Sequence, residues 1–145
     1  MAVRGTKPKP ARQVRRRNPP LHEWTDVVDV PFAGGPKLPA TMPDGSHWPT
    51  STRAWWAAVS TMPHCATWKR SDWRFALDTA LVAAWLHLGN YRVAGELRNR
   101  EKTMGTTVDF RRDLRVRYVD PNKEAAASSL ARLDDYRDLY EYGDL

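Results

Sequence analysis

Cysteine occurs once, at Cys65, so no disulfide forms within the chain, and a reducing compartment is the natural fit. Long apolar runs are missing too. The most apolar stretch, residues 75–88, is interrupted by Asp78 and His87 and is too short for the roughly 20 residues of a bilayer span. The amino-terminal segment lacks the apolar centre of about 7–15 residues that marks a secretory signal. A soluble, intracellular protein without membrane contact is expected.

Glycine is sparse where phosphate chemistry would need it. A phosphate-gripping loop sets glycines and a lysine at fixed spacing so that amides and ammonium converge. Gly34-Gly35-Pro36-Lys37 is too short for that and reads as a turn. Metal ligands are scattered: His64-Cys65 is one adjacent pair, with His22, His47 and His87 far along the chain, whereas structural zinc needs four ligands brought close. A cysteine nucleophile needs a base held by a third group, and an adjacent histidine points the wrong way in most backbones. Asp134, Asp135 and Asp138 are the carboxylates closest to a metal-dependent hydrolytic cluster. They fall on the outer face of a terminal helix, where solvation is the simpler role. No catalytic residue, metal or cofactor is expected, and the chain reads as a non-enzyme.

Negative charge is absent from the first twenty residues. Arg4, Lys7, Lys9, Arg12, Arg15, Arg16 and Arg17 lie there with four prolines. The other 16 basic residues are offset by all 17 acids, so the formal +6 resides in this segment. Proline lacks an amide hydrogen and biases its predecessor away from helix, so an extended arm is expected that cannot hide its charges. Such arms meet nucleic acid or anionic surfaces. Further prolines at 31, 36, 39 and 43 extend the arm and linker to residues 1–46. Within it, residues 24–32, with Val27, Val28 and Val30, are expected to pack onto the core as a brief extended piece.

The rest reads as all-α, with about five helices and no strand-period segment of convincing length. A core and oligomerisation region spans 47–119, and an acidic helix spans 120–145. Thr50, Ser51 or Thr52 opens a helix over roughly 51–61, closed by Pro63. Ser71 caps the next, with Asp72 suited to the positive end of its dipole. Trp73, Leu77, Leu81, Trp85 and Leu88 form one stripe on it, and Phe75, Val82 and Leu86 make the opposite side apolar. A helix that is apolar nearly all round is buried or covered by a partner. An amphipathic helix, or the bent continuation of the previous one, follows over 91–104, ended by Gly105. Thr107 caps a helix over 108–118 with Phe110, Leu114 and Tyr118 inward. Asp120-Pro121 starts the last one, with Leu130, Leu133, Tyr136 and Tyr140 in a stripe and Asp134, Asp135, Asp138, Glu141 and Asp144 outside.

Seven tryptophans serve this small protein, and Trp55, Trp56, Trp73 and Trp85 lie in the helices expected to form its core. Each buries roughly 150–250 Å², and a helical core of this size has a small interior. Trp55, Trp56, Trp73, Leu77, Leu81, Trp85 and Leu88 are therefore assigned to core and subunit contacts together, which favours a homo-oligomer. A second basic cluster, Arg111, Arg112, Arg115 and Arg117, places 111 and 115 on one helical face. It is either a face balanced by Asp109, Asp113 and Asp120 or, through Arg111, Arg112 and Arg115, a second DNA contact.

An ordered series of pieces resembles a known family. Trp48-Pro49 is followed by T-x-x-W-W at 52–56, a proline at 63, D-W-x-F-x-L-D-T-A-L at 72–81, E-L-R-x-R at 96–100, and G-x-T with an arginine- and leucine-rich run at 105–115. Over roughly 47–120 the chain resembles the small subunit of the phage terminase, in the form common in phages of actinobacteria. The run after G-x-T departs from the family's usual proline, acid pair and Arg-x-Arg-Leu-Arg, and the acidic tail at 124–145 stands outside the resemblance.

The resemblance implies a non-catalytic subunit, acting in the host cell cytoplasm. It would assemble into a helical ring, bind double-stranded viral DNA and hand it to the large terminase subunit, which carries the ATPase and nuclease. The tail is then a contact for the large subunit or the portal, or a shield against wrong DNA. Two other readings remain open. One is a small helix-turn-helix regulator with 91–103 as recognition helix. The other is a structural head-completion or adaptor protein of the virion.

Overall fold

The computed structural model describes residues 23–123. In chain order these form β1 (Thr25–Val28), α1 (Thr50–Ser60), a 3₁₀ turn (Pro63–Thr67), α2 (Arg70–His87), a second 3₁₀ turn (Tyr91–Val93), α3 (Ala94–Met104), α4 (Val108–Asp113) and β2 (Val116–Val119). Helices dominate. The all-α expectation is nonetheless corrected: β1 and β2 pair in parallel as a two-stranded sheet, with Thr25 opposite Val116, Asp26 opposite Arg117, Val27 opposite Tyr118 and Val28 opposite Val119. Both strands are rich in the β-branched and aromatic residues that suit a pleated surface.

The same sheet shortens the helix expected over 108–118. α4 opens on Thr107, whose hydroxyl accepts the Phe110 amide at 3.3 Å, and it ends at Asp113. Arg115 then adopts a left-handed φ of 56°, uncommon for a residue with a side chain, and turns the chain into β2. Tyr118 points inward from a strand rather than a helix.

Local signals set the other helix ends. Asp72 accepts the Lys69 amide at 2.7 Å, so α2 begins at Arg70 with Lys69 at its cap, just before the expected Ser71. Gly105 closes α3 in the left-handed conformation, φ 72°, where glycine carries no Cβ penalty. A Cβ there would lie 3.1 Å from Leu114 Cδ1 and 3.2 Å from His64 Nε2.

The deeply buried face of α2 is made of small residues: Ala76, Thr79, Ala80, Ala83 and Ala84. The large side chains come from its neighbours. Trp56, Val59, Met62 and Cys65 meet this alanine face, together with Met42 and Trp48 from the proline-rich leader. Trp55, Trp73, Leu77 and Leu81 are partly buried around them. Small residues on the central helix leave room for the tryptophans to pack against it. Of the residues expected in the core or at contacts, Trp85 and Leu88 face outward, 52% and 65% exposed, beside Tyr91 at 78%.

The leader is anchored by its own carbonyls. Trp48 Nε1 donates to the Pro39 carbonyl at 2.9 Å and Trp56 Nε1 to that of Pro36 at 3.1 Å, while Phe32 stacks on Trp73 at 6.0 Å. Across the helices, Trp55 Nε1 donates to Glu101 at 2.8 Å and the buried Thr52 hydroxyl meets His87 Nδ1 at 2.7 Å. These bonds give buried donors partners and fix the helix register.

Candidate nucleic-acid interface

The sequence RRDLRVR at 111–117 is split by the turn at Arg115, so its arginines diverge. Arg111 is tied down: its guanidinium donates to the carbonyls of Gly105 and Thr106, each at 3.2 Å, and lies over the Tyr118 ring, 4.6 Å from its centre. Arg112 stands on the outer face of α4, paired with Asp109 at 3.2 Å. Such an exposed pair is worth only about 0–1 kcal/mol and yields to a stronger anion. Arg115 has no ion pair among the described residues. The expectation that 111 and 115 share a helical face is corrected, since the helix ends between them. Arg117 reaches across the sheet to its register partner Asp26, with bonds of 2.8 and 3.0 Å, and its guanidinium lies 5.8 Å from the Trp24 ring centre.

Arg111, Arg112 and Arg117 border a shallow groove of about 320 Å³ with an apolar floor of Trp24, Val108, Val116 and Tyr118. The contributions of Trp24 and Tyr118 were not legible from sequence. The first lies in the proline-rich leader and the second in a stretch of helical period; a strand pairing 91 residues apart brings them together.

Beneath the groove sits a buried bolt. His64 Nε2 is 2.7 Å from the Met104 carbonyl, which can only accept, so Nε2 carries the proton. Nδ1 therefore accepts from the Tyr118 hydroxyl at 2.6 Å. Burial lowers the His64 pKa below its ordinary value; the Met104 carbonyl opposes the shift and the Arg111 charge adds to it. Burial likewise raises that of Tyr118. The neighbouring Cys65 thiol is fully buried and pushed up to about 12, so it is a packing residue and not a nucleophile. Among the described residues, no three His, Cys, Asp or Glu side chains converge as metal ligands, and no helix is long and apolar enough to cross a membrane.

The parallel pairing also fixes which end of β2 the start of β1 meets. Thr25 donates its amide to the Arg115 carbonyl at 2.8 Å, so β1 starts beside Arg115. Lys123, the last described residue, follows β2 by four positions. Arg4, Lys7, Lys9, Arg12, Arg15, Arg16 and Arg17 lie outside the described residues, as do residues 124–145.

A family model described as phage terminase small subunit matches residues 3–141. The chain belongs to the phage terminase small subunit family. Its role is accordingly in phage DNA packaging. Comparison with curated proteins and with solved structures returned no match. The family match extends through the basic arm and most of the acidic tail, well beyond the residues 47–120 that carry the resemblance in sequence.

Proposed function

We propose that this terminase small subunit is a non-catalytic DNA-recognition component. It assembles into a homo-oligomeric ring, binds double-stranded viral DNA and delivers it to the large subunit for packaging in the host cytoplasm. The observation that carries the reading is the Thr25–Arg115 backbone bond. The start of β1 thus lies beside Arg115, which supports a reading in which the arm engages the same DNA as Arg112 and Arg115. Arg15, Arg16 and Arg17 are the leading phosphate contacts, with Arg4, Lys7, Lys9 and Arg12 along the same strand. Arg112 and Arg115 extend the contact onto the body, and Arg111 acts mainly by holding β2 to α4.

The ring is supported by the exposed run of Trp85, Leu88 and Tyr91 at the carboxyl end of α2, since aromatic residues are enriched at subunit contacts and soluble homo-oligomers tend to close. Several arms on one ring raise the effective concentration, and avidity adds on the order of 10²–10⁴. The regulator reading finds less support. In α3, Arg100 is paired with Glu96 and lies over Phe75, while Lys102 pairs with Asp113, which leaves fewer cations to face a groove.

Native mass and DNA titration at two salt concentrations test the proposal on the full chain and on a chain lacking residues 1–20. Full engagement of the arm gives a log–log salt slope of about −6, or roughly 10³–10⁴-fold in affinity for a fourfold change in salt. Equal oligomer mass with most affinity lost on truncation is expected. Equal affinity of the two chains would end the role of the arm and move the DNA contact to Arg112 and Arg115.

A further inference from the structure

The groove bordered by Arg111, Arg112 and Arg117 has a floor that phosphate does not explain. Trp24 and Val108 are 44% and 56% exposed there, and a sugar–phosphate backbone offers little to cover them. An occupant that satisfies both floor and rim alternates large apolar side chains with carboxylates. One segment of this chain has that chemistry. Residues 124–145 carry six acids against two bases in a protein whose balance is +6, with Leu133, Tyr136 and Tyr140 interleaved among Asp134, Asp135 and Asp138.

Its point of departure is near enough. The described chain ends at Lys123, four residues after β2, and Val116 at the start of β2 lines the groove. The groove therefore lies on the order of 15–25 Å back along the strand, at about 3.3 Å per residue. The ten residues from 124 to 133 span at most ~35 Å, which is enough.

Resting on the DNA reading above, we propose that the acidic tail of each chain docks in its own β1–β2–α4 groove. There Tyr136 and Tyr140 cover Trp24 and Val108, Asp134, Asp135 and Asp138 face Arg112 and Arg117, and the tail competes with DNA for this part of the basic surface. The rim can receive it. Arg112 spends one N–H on Asp109 and Arg117 two on Asp26, of the five that each guanidinium carries. A short tether gives an effective concentration in the millimolar range. Intrinsic affinity of about 0.1 mM therefore closes the groove roughly ten to one, which weakens DNA binding about tenfold.

The test uses the full chain with Gly143→Cys carrying a bimane fluorophore, which tryptophan quenches on contact. Cys65 is buried and its thiol raised, so labelling is selective for the introduced residue. Quenching at low salt is expected. It should be relieved by Trp24→Phe, by about 0.5 M salt, where screening falls to a few ångströms, and by Asp134→Asn/Asp135→Asn/Asp138→Asn. That triple variant should also bind duplex DNA about tenfold more tightly. A fluorophore equally bright in all of these chains overturns the docking. Quenching restored when labelled Trp24→Phe chains are mixed with unlabelled wild type overturns the within-chain form in favour of a neighbour's groove. Docking with unchanged DNA affinity overturns the competition. If no form binds DNA at all, the DNA reading fails, and the fluorescence still decides the docking.

Discussion

Acidification should destabilise this fold through His64, and the size of the effect follows from its contacts. The imidazole is 4% exposed and neutral, with Nε2–H on the Met104 carbonyl and Nδ1 accepting from Tyr118. In the unfolded chain it titrates near 6.5, and in the folded chain below that, chiefly because burial disfavours the charged form. Above pH 6.5 neither state holds the proton, so the stability is fully present. As pH falls below 6.5 the unfolded state takes up a proton that the folded state refuses. Stability then drops by up to ~1.4 kcal/mol per pH unit, until the folded pKa is reached and the dependence flattens. For a domain of this size, 1 kcal/mol corresponds to about 4–8 °C in Tm. Unfolding followed by circular dichroism between pH 7.5 and 5, on wild type and His64→Gln, isolates this proton. Parallel pH profiles for the two chains would refute the reasoning. Tyr118→Phe gives a second check at pH 7: it leaves Nδ1 buried without a donor and should cost about 1–3 kcal/mol.

Two further outcomes follow from the packing. Gly105→Ala forces a Cβ onto a φ of 72° and against Leu114 and His64; about 1–2 kcal/mol should be lost in urea denaturation, with α3 fraying first by hydrogen exchange. Trp85→Ser with Leu88→Ser removes apolar surface that the single chain leaves exposed, so chemical stability at low concentration should hold within ~0.5 kcal/mol while native mass shifts toward the monomer; unchanged mass would remove this face from the ring contact.

Signals that act within one turn are legible in the sequence. The left-handed stop at Gly105, the Thr107 cap and the break at Pro63 each depend on residues a few positions apart, and their chemistry is printed in the sequence. The arginines at 111–117 could be read as a group, but not how they part: Arg115 turns the chain and Arg111 is held over Tyr118, because a strand far away in sequence claims residues 116–119. Two four-residue strands are too short to show alternation, and parallel pairing carries no turn signal between them. The packing of α2 was only partly legible: Trp73, Leu77 and Leu81 do pack against the core. That the most deeply buried positions of α2 are its alanines and Thr79 was not legible, because α1 and the proline-rich leader bring the bulk from elsewhere in the chain.

The sequence by itself determined a mainly helical body, a cationic amino-terminal segment, an acidic carboxyl-terminal one, and the family to which the chain belongs. Charge, proline content and helical period are local quantities, and each is complete within a few turns of chain. Only the tertiary structure decided that β1 lies beside β2, that β1 starts beside Arg115, and that Trp24 and Tyr118 share a groove. Those facts depend on pairing across 91 residues, where backbone hydrogen bonding and the burial of His64 choose one register among many that the sequence alone would allow.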